Sequence, residues 1–320
     1  MGGGASGMYT ALKMADKKYS VAVLEKKGRL GGHAQTYRAE PWETVYDLGV
    51  RIFPESDNIK EVFNRFDQKL MRASILDLKR RYVDFETGAL SNYEEPSYHS
   101  TLTSLLYYWY YSGYTFSFMF KPGTHLPDPV PEDLLLTLGE FLKKKKIDIG
   151  FTPLIHYLQG YGAIENVPML YVLKNITHRV ASSIIWDSFY TPAEGVDAIY
   201  PAIYPAISKE IVKLTGKKAV YLNTEVQKVR RVSGKDVIVE TYQDERKLDF
   251  SCKYLLVSAP PLLETFGSVF DFDDQERLLL IKAASFPGIY AMLPMPFPDH
   301  YNVLFGAEDL SLSDDDVGSV

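Results

Sequence analysis

The chain has 320 residues, 46% hydrophobic and 24% charged, with a formal charge of −6. That length can bury a large core and suggests one large or two interleaved domains. The near balance of charge gives no global field toward nucleic acid, so no nucleic-acid partner is expected. A single cysteine, Cys252, excludes an internal disulfide and any cysteine-based zinc cluster.

In chain order, "MGGGASG" comes first, and Gly2, Gly4 and Gly7 have the G-x-G-x-x-G spacing, with Ala5 and Ser6 between the last two. Gly2 allows a tight turn, Gly4 lets the backbone approach a pyrophosphate, and Gly7 lets a helix pack closely. "MYTALKMADKK" follows as a helix with Met8, Leu12 and Ala15 on one face. "SVAVLEKK" reads as a buried strand ending in Glu25 and Lys26. An anion would sit on the free N–H groups of the helix start. An acid at position 25 can accept hydrogen bonds from a ribose diol. The alternative is a glycine-capped helix with a surface glutamate.

"GRLGGHAQTY" is a glycine-containing loop, and "ETVYDLGVRIF" a short strand with a glycine near its end. Residues 57–190 read as mostly helical: "NIKEVFNRF", "PEDLLLTLGEFLKKKKI" and "PMLYVLKNITHRVASSII" each have helical periodicity. Ser100 to Phe120 contains no charge and is crowded with aromatics. Its Ser, Thr, Tyr and Gly content favours a buried or pocket-lining helix over a membrane span, so membrane association is not expected. "TPAEGVDAIYPAIYPAISKEIVKL" reads as a break. Strands return in "KAVYLNTEVQKVRRV", "KDVIVETYQDE" and "KLDFSCKYLLVSAPP", the last with a buried-looking run from Tyr254 to Val257, and an acidic tail closes the chain. The scattered histidines lack H-x-x-x-H or H-E-x-x-H spacing, so no metal is expected, and no G-x-S-x-G elbow appears.

The segment "RLGGHAQT" resembles the R-x-G-G-R-x-x-T/S stretch of the flavin amine oxidase superfamily, matching at Arg29, Gly31, Gly32 and Thr36, with His33 in place of the second arginine. "VYDLGVRIF" is similar to the family segment that passes the flavin ring, with Gly49 and Val50 nearest. "GVDAIYPAI…NTEVQKVRRV…YLLVSAPP" is similar to its return to the cofactor domain. "DLGVRIF", "YVDFETG" and "DPVPEDLLLTLGEFL" look most like fungal FAD-dependent oxidoreductases of the β-cyclopiazonate dehydrogenase type.

The resemblance implies an α/β fold, with a Rossmann-like FAD-binding domain interleaved with a mostly helical substrate domain. The boundaries expected are 1–56 and 191–265 for the FAD domain, 57–190 for the helical domain, and 266–320 for the start of a second substrate-domain segment. FAD is the implied cofactor, with Lys26, Arg29, Gly31, Gly32 and His33 beside it and the backbone of Val226 at the adenine. Arg51 is a weak catalytic candidate, equally readable as a paired surface arginine. The implied reaction moves a hydride from a bulky apolar or aromatic small molecule to flavin. A flavin-dependent fatty acid isomerase and a shortened remnant with weak FAD binding are the alternatives; a nicotinamide dehydrogenase is disfavoured, because it gives the Gly31–Gly32 segment no role. Relative to the family, the chain is expected to lack the strand before the glycines and the segment closing over the flavin. Compartment stays open: cytoplasmic as the chain stands, secreted if a signal precedes it.

Overall fold

The computed structural model describes residues 2–39, 44–74, 79–83, 87–90, 97–121, 126–147, 164–232, 236–244, 246–260, 262–281 and 301–305; the acidic tail, His125, His156 and His300 lie outside them. The chain divides into two compact units, one of Met1–Arg51, Asn58–Met71 and Thr191–Ser285, the other of Ile52–Asp57, Arg72–Tyr190 and Phe286–Val320.

In the first unit the elements run α1 (Ala5–Asp16), β1 (Val23–Leu24), β2 (Thr36–Ala39), β3 (Thr44–Asp47) and α2 (Asp57–Arg65, in this unit from Asn58). After the second unit's insertion come α3 (Ile199–Thr215), β4 (Val220–Tyr221), β5 (Thr224–Arg231), β6 (Val237–Gln243), β7 (Arg246–Cys252), α4 (Leu263–Phe266) and α5 (Asp274–Ile281). In α1, Met8, Ala11, Leu12 and Ala15 fall three and four residues apart and are all buried, which gives the helix its inner face. That helix packs on α3, whose Ile203, Ile207 and Ile211 repeat at the same spacing and are also buried. Lys13 with Glu61 and Arg65 with Asp16 tie α1 to α2.

β1 pairs in parallel with β4, and the Gly2 N–H donates to the Leu24 carbonyl at 2.9 Å, so the chain entering the glycine turn lies along β1. β5, β6 and β7 form an antiparallel sheet in the order β7-β6-β5, with an irregularity between Glu240 and Thr241. β2 and β3 form a separate antiparallel pair.

The second unit is mostly helical. Its core holds Tyr108, Leu134, Phe141, Met169, Leu173 and Phe189, none more than 0% exposed. Burying each apolar side chain of that size contributes roughly 1.5–3 kcal/mol. Tyr108 donates its hydroxyl to the Ile176 carbonyl at 2.8 Å, which satisfies the one polar atom it brings inside.

Several expectations require correction. The stretch 132–145 forms two helices, Glu132–Leu135 and Leu138–Lys145, because Thr137 accepts from the Glu140 N–H and Glu140 reaches back to the Thr137 N–H. That capping box starts a new helix. Likewise 169–185 splits into Met169–Asn175 and His178–Ile185, the second capped by Thr177. The break expected over 191–214 is confined to Ala193–Ala198, after which α3 runs for 17 residues. Pro201 sits in the first turn, where no N–H is needed, and Pro205 removes one internal bond that the buried isoleucine face offsets.

The expected strand "SVAVL" narrows to Val23–Leu24, the two residues that pair with Val220 and Tyr221 of β4. Tyr254 to Val257 is neither strand nor buried: Tyr254 is 89% exposed and Leu256 51%. A strand of that apolar kind needs ladders on its edges, and none of the described strands pairs with it.

Tyr108→Phe should destabilise the protein by about 1–2 kcal/mol in urea unfolding, because the Ile176 carbonyl stays buried without its donor; an unchanged midpoint would show that the carbonyl finds another partner. A second expectation concerns Arg231, whose guanidinium bonds Asp271 at 2.7 Å and Glu276 at 2.6 and 2.9 Å, fastening β5 to α5. Those bonds pull Glu276 down to about 2 from an ordinary 4.5. A lowered carboxylate contributes stability that is fully present above its unfolded value and is lost as pH falls through the folded one. Stability should therefore fall between pH 4.5 and about 2, and less steeply in Arg231→Met; equal slopes for the two proteins would remove this tie from the account.

Candidate functional site

The first unit brings the glycine segments together edge to edge. Gly31 donates its N–H to the Gly3 carbonyl at 2.8 Å, and Gly4 and Gly31 form a parallel bridge. A Cβ added to Gly32 would lie 3.0 Å from Gly4 Cα, and one on Gly49 would lie 2.3 Å from the His33 carbonyl oxygen. The turn 2–7, the loop 31–33 and the segment 48–50 thus stack as neighbouring backbones. Gly2 and Gly31 hold φ of +103° and +110°, where a side chain would be strained. Gly7 carries the closest approach: a Cβ there would meet the Gly2 carbonyl oxygen at 2.0 Å.

Gly4 differs. A Cβ on Gly4 meets nothing nearer than Gly32 Cα at 3.7 Å, and its φ of −75° suits any residue. The protein's own packing leaves room at that spot. Gly4 is also the N-cap of α1, with no side-chain cap and no acid in the first turn. The N–H groups of the first turn, at Ala5, Ser6 and Gly7, therefore meet no side-chain acceptor, and they carry the positive end of the helix dipole. Ser258 closes the other side, its hydroxyl donating to the Gly2 carbonyl at 3.1 Å.

Glu25 stands just past β1. One carboxylate oxygen accepts from the Gly3 N–H at 2.6 Å, the other from the Lys27 N–H at 2.8 Å. Two acceptor oxygens have about four lone-pair sites, so each retains one beyond these bonds. Its backbone is fixed by the Tyr221 carbonyl and the Thr224 N–H.

Other expected residues fall as follows. Lys26 is exposed and pairs with Glu225 at 2.7 Å. Arg29 turns inward on its own loop, donating to the carbonyls of Leu30, Gly32 and Ala34 and to Gln35 Oε1 at 2.9 Å. The His33 ring is exposed, as are Val50 and Arg51. Val226 is partly buried in β5, packed with Leu24, Val229 and Val239. An open cavity of about 590 Å³, lined by Lys26, Asn223, Glu225, Tyr242 and Asp244, adjoins this end; none of the glycines lines it.

Sequence reasoning missed Tyr200, whose ring would lie 3.1 Å from a Cβ on Gly31 and whose hydroxyl is pushed up to about 12 by burial. It also missed the partners of Thr36: the hydroxyl donates to Asp47 Oδ1 at 2.7 Å and accepts from the Asp197 N–H at 3.2 Å. Asp47 is an acid two residues before a glycine, a visible signal without a visible partner.

In the second unit, the uncharged stretch folds as a helix, Tyr98–Tyr110, then a wide turn, Tyr111–Thr115, and a tight one, Ser117–Phe120. One side is buried through Leu105, Tyr108, Phe116 and Met119. The other shows rings: Tyr110 stacks on Tyr114 at 5.4 Å, and Trp109 meets Tyr114 at 5.7 Å and Trp186 at 5.8 Å. Among the described residues no helix is long and apolar enough to cross a membrane, and no group of three or more His, Cys, Asp or Glu is placed to hold a metal ion.

Residues 1–66 match the family model of the NAD(P)-binding Rossmann-like domain. Over 300 residues the chain is 30% identical to the FAD-dependent oxidoreductase dpchF of Colletotrichum higginsianum, covering 89% of this chain and 60% of that protein. It is 29% identical over 282 residues to the beta-cyclopiazonate dehydrogenase of Aspergillus oryzae, covering 88% of the chain and 58% of the relative. The chain thus spans about three fifths of the length of these relatives. In fold it is similar to a CLA-producing fatty acid isomerase from P. acnes, with TM-score 0.65 and 20% identity over 88% of this chain and 62% of that one. It is also similar to the cyclohexylamine oxidase of Brevibacterium oxydans, with TM-score 0.59 and 16% identity over 88% and 61%. The chain is an α/β protein whose residues 1–66 match the NAD(P)-binding Rossmann-like domain, and it is a sequence relative of fungal FAD-dependent oxidoreductases.

Proposed function

We propose that this chain binds FAD in the glycine-lined crevice of its first unit and acts as an FAD-dependent oxidoreductase on a bulky apolar or aromatic small molecule. The carrying observation is the space at Gly4. Gly7 must be glycine because a side chain would strike the Gly2 carbonyl, but nothing in the protein's own packing demands glycine at position 4. A ligand that approaches the backbone there supplies the demand, and the first-turn N–H groups select an anion.

The residues fit the cofactor. Ala5, Ser6 and Gly7 would donate their N–H groups to the pyrophosphate. Glu25, held by two backbone N–H groups, would accept from the ribose hydroxyls with its remaining lone pairs. The backbone of Val226 would meet the adenine, with Lys26 beside it. Gly31 and Gly32 would lie along the diphosphate and ribityl chain, and the backbone of Gly49 and Val50 would pass the isoalloxazine ring. Arg29 supports the loop from within rather than reaching toward the phosphates. His33 and Arg51, both exposed, stand as further candidates for contact with cofactor or substrate.

Bound FAD supplies hydride acceptance; the protein's share is to hold the ring, exclude water and orient the substrate. The names of the relatives support the oxidoreductase reading, and the rings of Trp109, Tyr110, Tyr114 and Trp186 offer a surface of matching chemistry for an aromatic or apolar substrate. Neither nucleic acid nor a membrane has a part in this reading.

Flavin absorbance of the purified protein, before and after added FAD, tests the proposal; a protein that takes up no flavin would overturn it and leave the non-catalytic remnant. Glu25→Ala should weaken FAD binding about tenfold or more by calorimetry, the loss of a charged hydrogen bond, while unchanged affinity would remove Glu25 from the site. Gly4→Ala should leave the unfolding midpoint within about 1 kcal/mol of the wild type, since the position is an N-cap, and should abolish FAD binding. Normal binding in that variant would show that no ligand occupies the space.

A further inference from the structure

We infer that Asp47 is a positioning residue, which clamps the segment Leu48–Val50 to the turn at Gly195 and so sets the backbone that faces the flavin ring. The inference rests on reading the crevice as the flavin site. Asp47 is the last residue of β3 and lies opposite Thr36 in the β2–β3 ladder. Its Oδ1 accepts twice, from the Thr36 hydroxyl at 2.7 Å and from the Val196 N–H at 3.0 Å. The Thr36 oxygen in turn accepts from the Asp197 N–H at 3.2 Å. One carboxylate oxygen and one hydroxyl thus join two segments separated by about 150 residues of sequence.

The turn is seated tightly. Gly195 has φ +90°, and a Cβ there would stand 2.4 Å from Thr36 Cγ2 and 2.6 Å from its Oγ1. Arg38 adds a second latch, donating to Asp197 Oδ1 and to the Glu194 carbonyl, each at 2.8 Å. Burial pushes the Asp197 carboxyl up, but the bonds from Arg38 and Thr36 outweigh it and hold the group below the usual carboxylate range.

The consequence falls on the residues directly after Asp47. Leu48 donates to the Gln35 carbonyl at 2.7 Å, and Gly49 passes so close to the His33 carbonyl that a Cβ would lie 2.3 Å away. β2 and β3 are four residues each, and a lone pair of strands that short is marginal in water. Its open end, where the chain leaves toward Gly49, is fixed by the Asp47 bonds. The adenosine end of the crevice, at Gly2 to Gly7 and Glu25, shares none of them.

Three proteins decide the matter: wild type, Asp47→Ala, which removes both bonds, and Asp47→Asn, whose amide oxygen can still accept both. Each is titrated with ADP, which reaches only the pyrophosphate and ribose end, and with FAD, which reaches both ends; amide hydrogen exchange is followed without ligand. Asp47→Ala should keep ADP affinity within about twofold and lose about tenfold or more in FAD affinity. Its bound flavin should show the fluorescence and unresolved visible band of a solvent-exposed ring. Exchange at Leu48 and Val196 should quicken with α1 unchanged, and Asp47→Asn should restore most of each property. Equal losses for ADP and FAD, no loss for either, or exchange that spreads through α1 would overturn the clamp and make Asp47 an ordinary stabilising residue. If wild type binds neither ligand, the flavin reading has failed on its own. The exchange data then decide the clamp: quickening confined to Leu48 and Val196 upholds the tie, and no quickening removes it.

Discussion

An added methyl on Gly7 would sit 2.0 Å from the carbonyl oxygen of Gly2, and one on Gly49 would sit 2.3 Å from that of His33. These approaches, backbone against backbone, order the first unit. They bring helix α1 to its strand-like entry at Gly2, bring the loop 31–33 against the turn, and lay 48–50 on the loop. The polar bonds follow from that nearness: Gly31 to Gly3, Glu25 to Gly3, Ser258 to Gly2. Side chains add further ties between the segments, among them Glu25, Thr36, Arg38 and Asp47.

Gly4 stands apart from its neighbours for a physical reason. A Cβ on Gly2, Gly3, Gly7, Gly31, Gly32 or Gly49 would meet atoms of the folded chain at 3.0 Å or less, whereas Gly4 faces space and carries the bare helix start. A residue whose smallness the fold does not use is the clearest sign of a ligand that does. The same contrast separates Arg29, whose donors are spent on its own loop, from the first-turn N–H groups, which meet no side-chain acceptor.

Much of this was legible in the sequence, because it is local. The face of α1 follows from the spacing of Met8, Leu12 and Ala15, and the glycine turn, the acid at 25 and the second glycine pair all lie in one stretch, residues 2–32. Boundaries set by a single capping residue were not: Thr137 and Thr177 each cut a periodic apolar run that reads as one helix. The stretch read as a break at 191–214 is helical from Ile199 because a buried isoleucine stripe outweighs the bond lost at Pro205. The apolar run at Tyr254 lacked a ladder rather than a propensity, and ladders are decided by distant chain. Asp47 escaped notice for the same reason, since Val196 and Asp197 lie far along the sequence.

The aromatic side of the second unit has an optical consequence. The chain has three tryptophans, and two of them, Trp109 and Trp186, sit in that ring cluster 5.8 Å apart. Trp109 lies over the His178 ring at 4.8 Å, and its indole N–H donates to the Ser182 hydroxyl. Intrinsic fluorescence from these two residues therefore reports the second unit, whereas a chromophore held among the glycines would report the first. Two colours of light would follow the two units of one chain separately through a single melt.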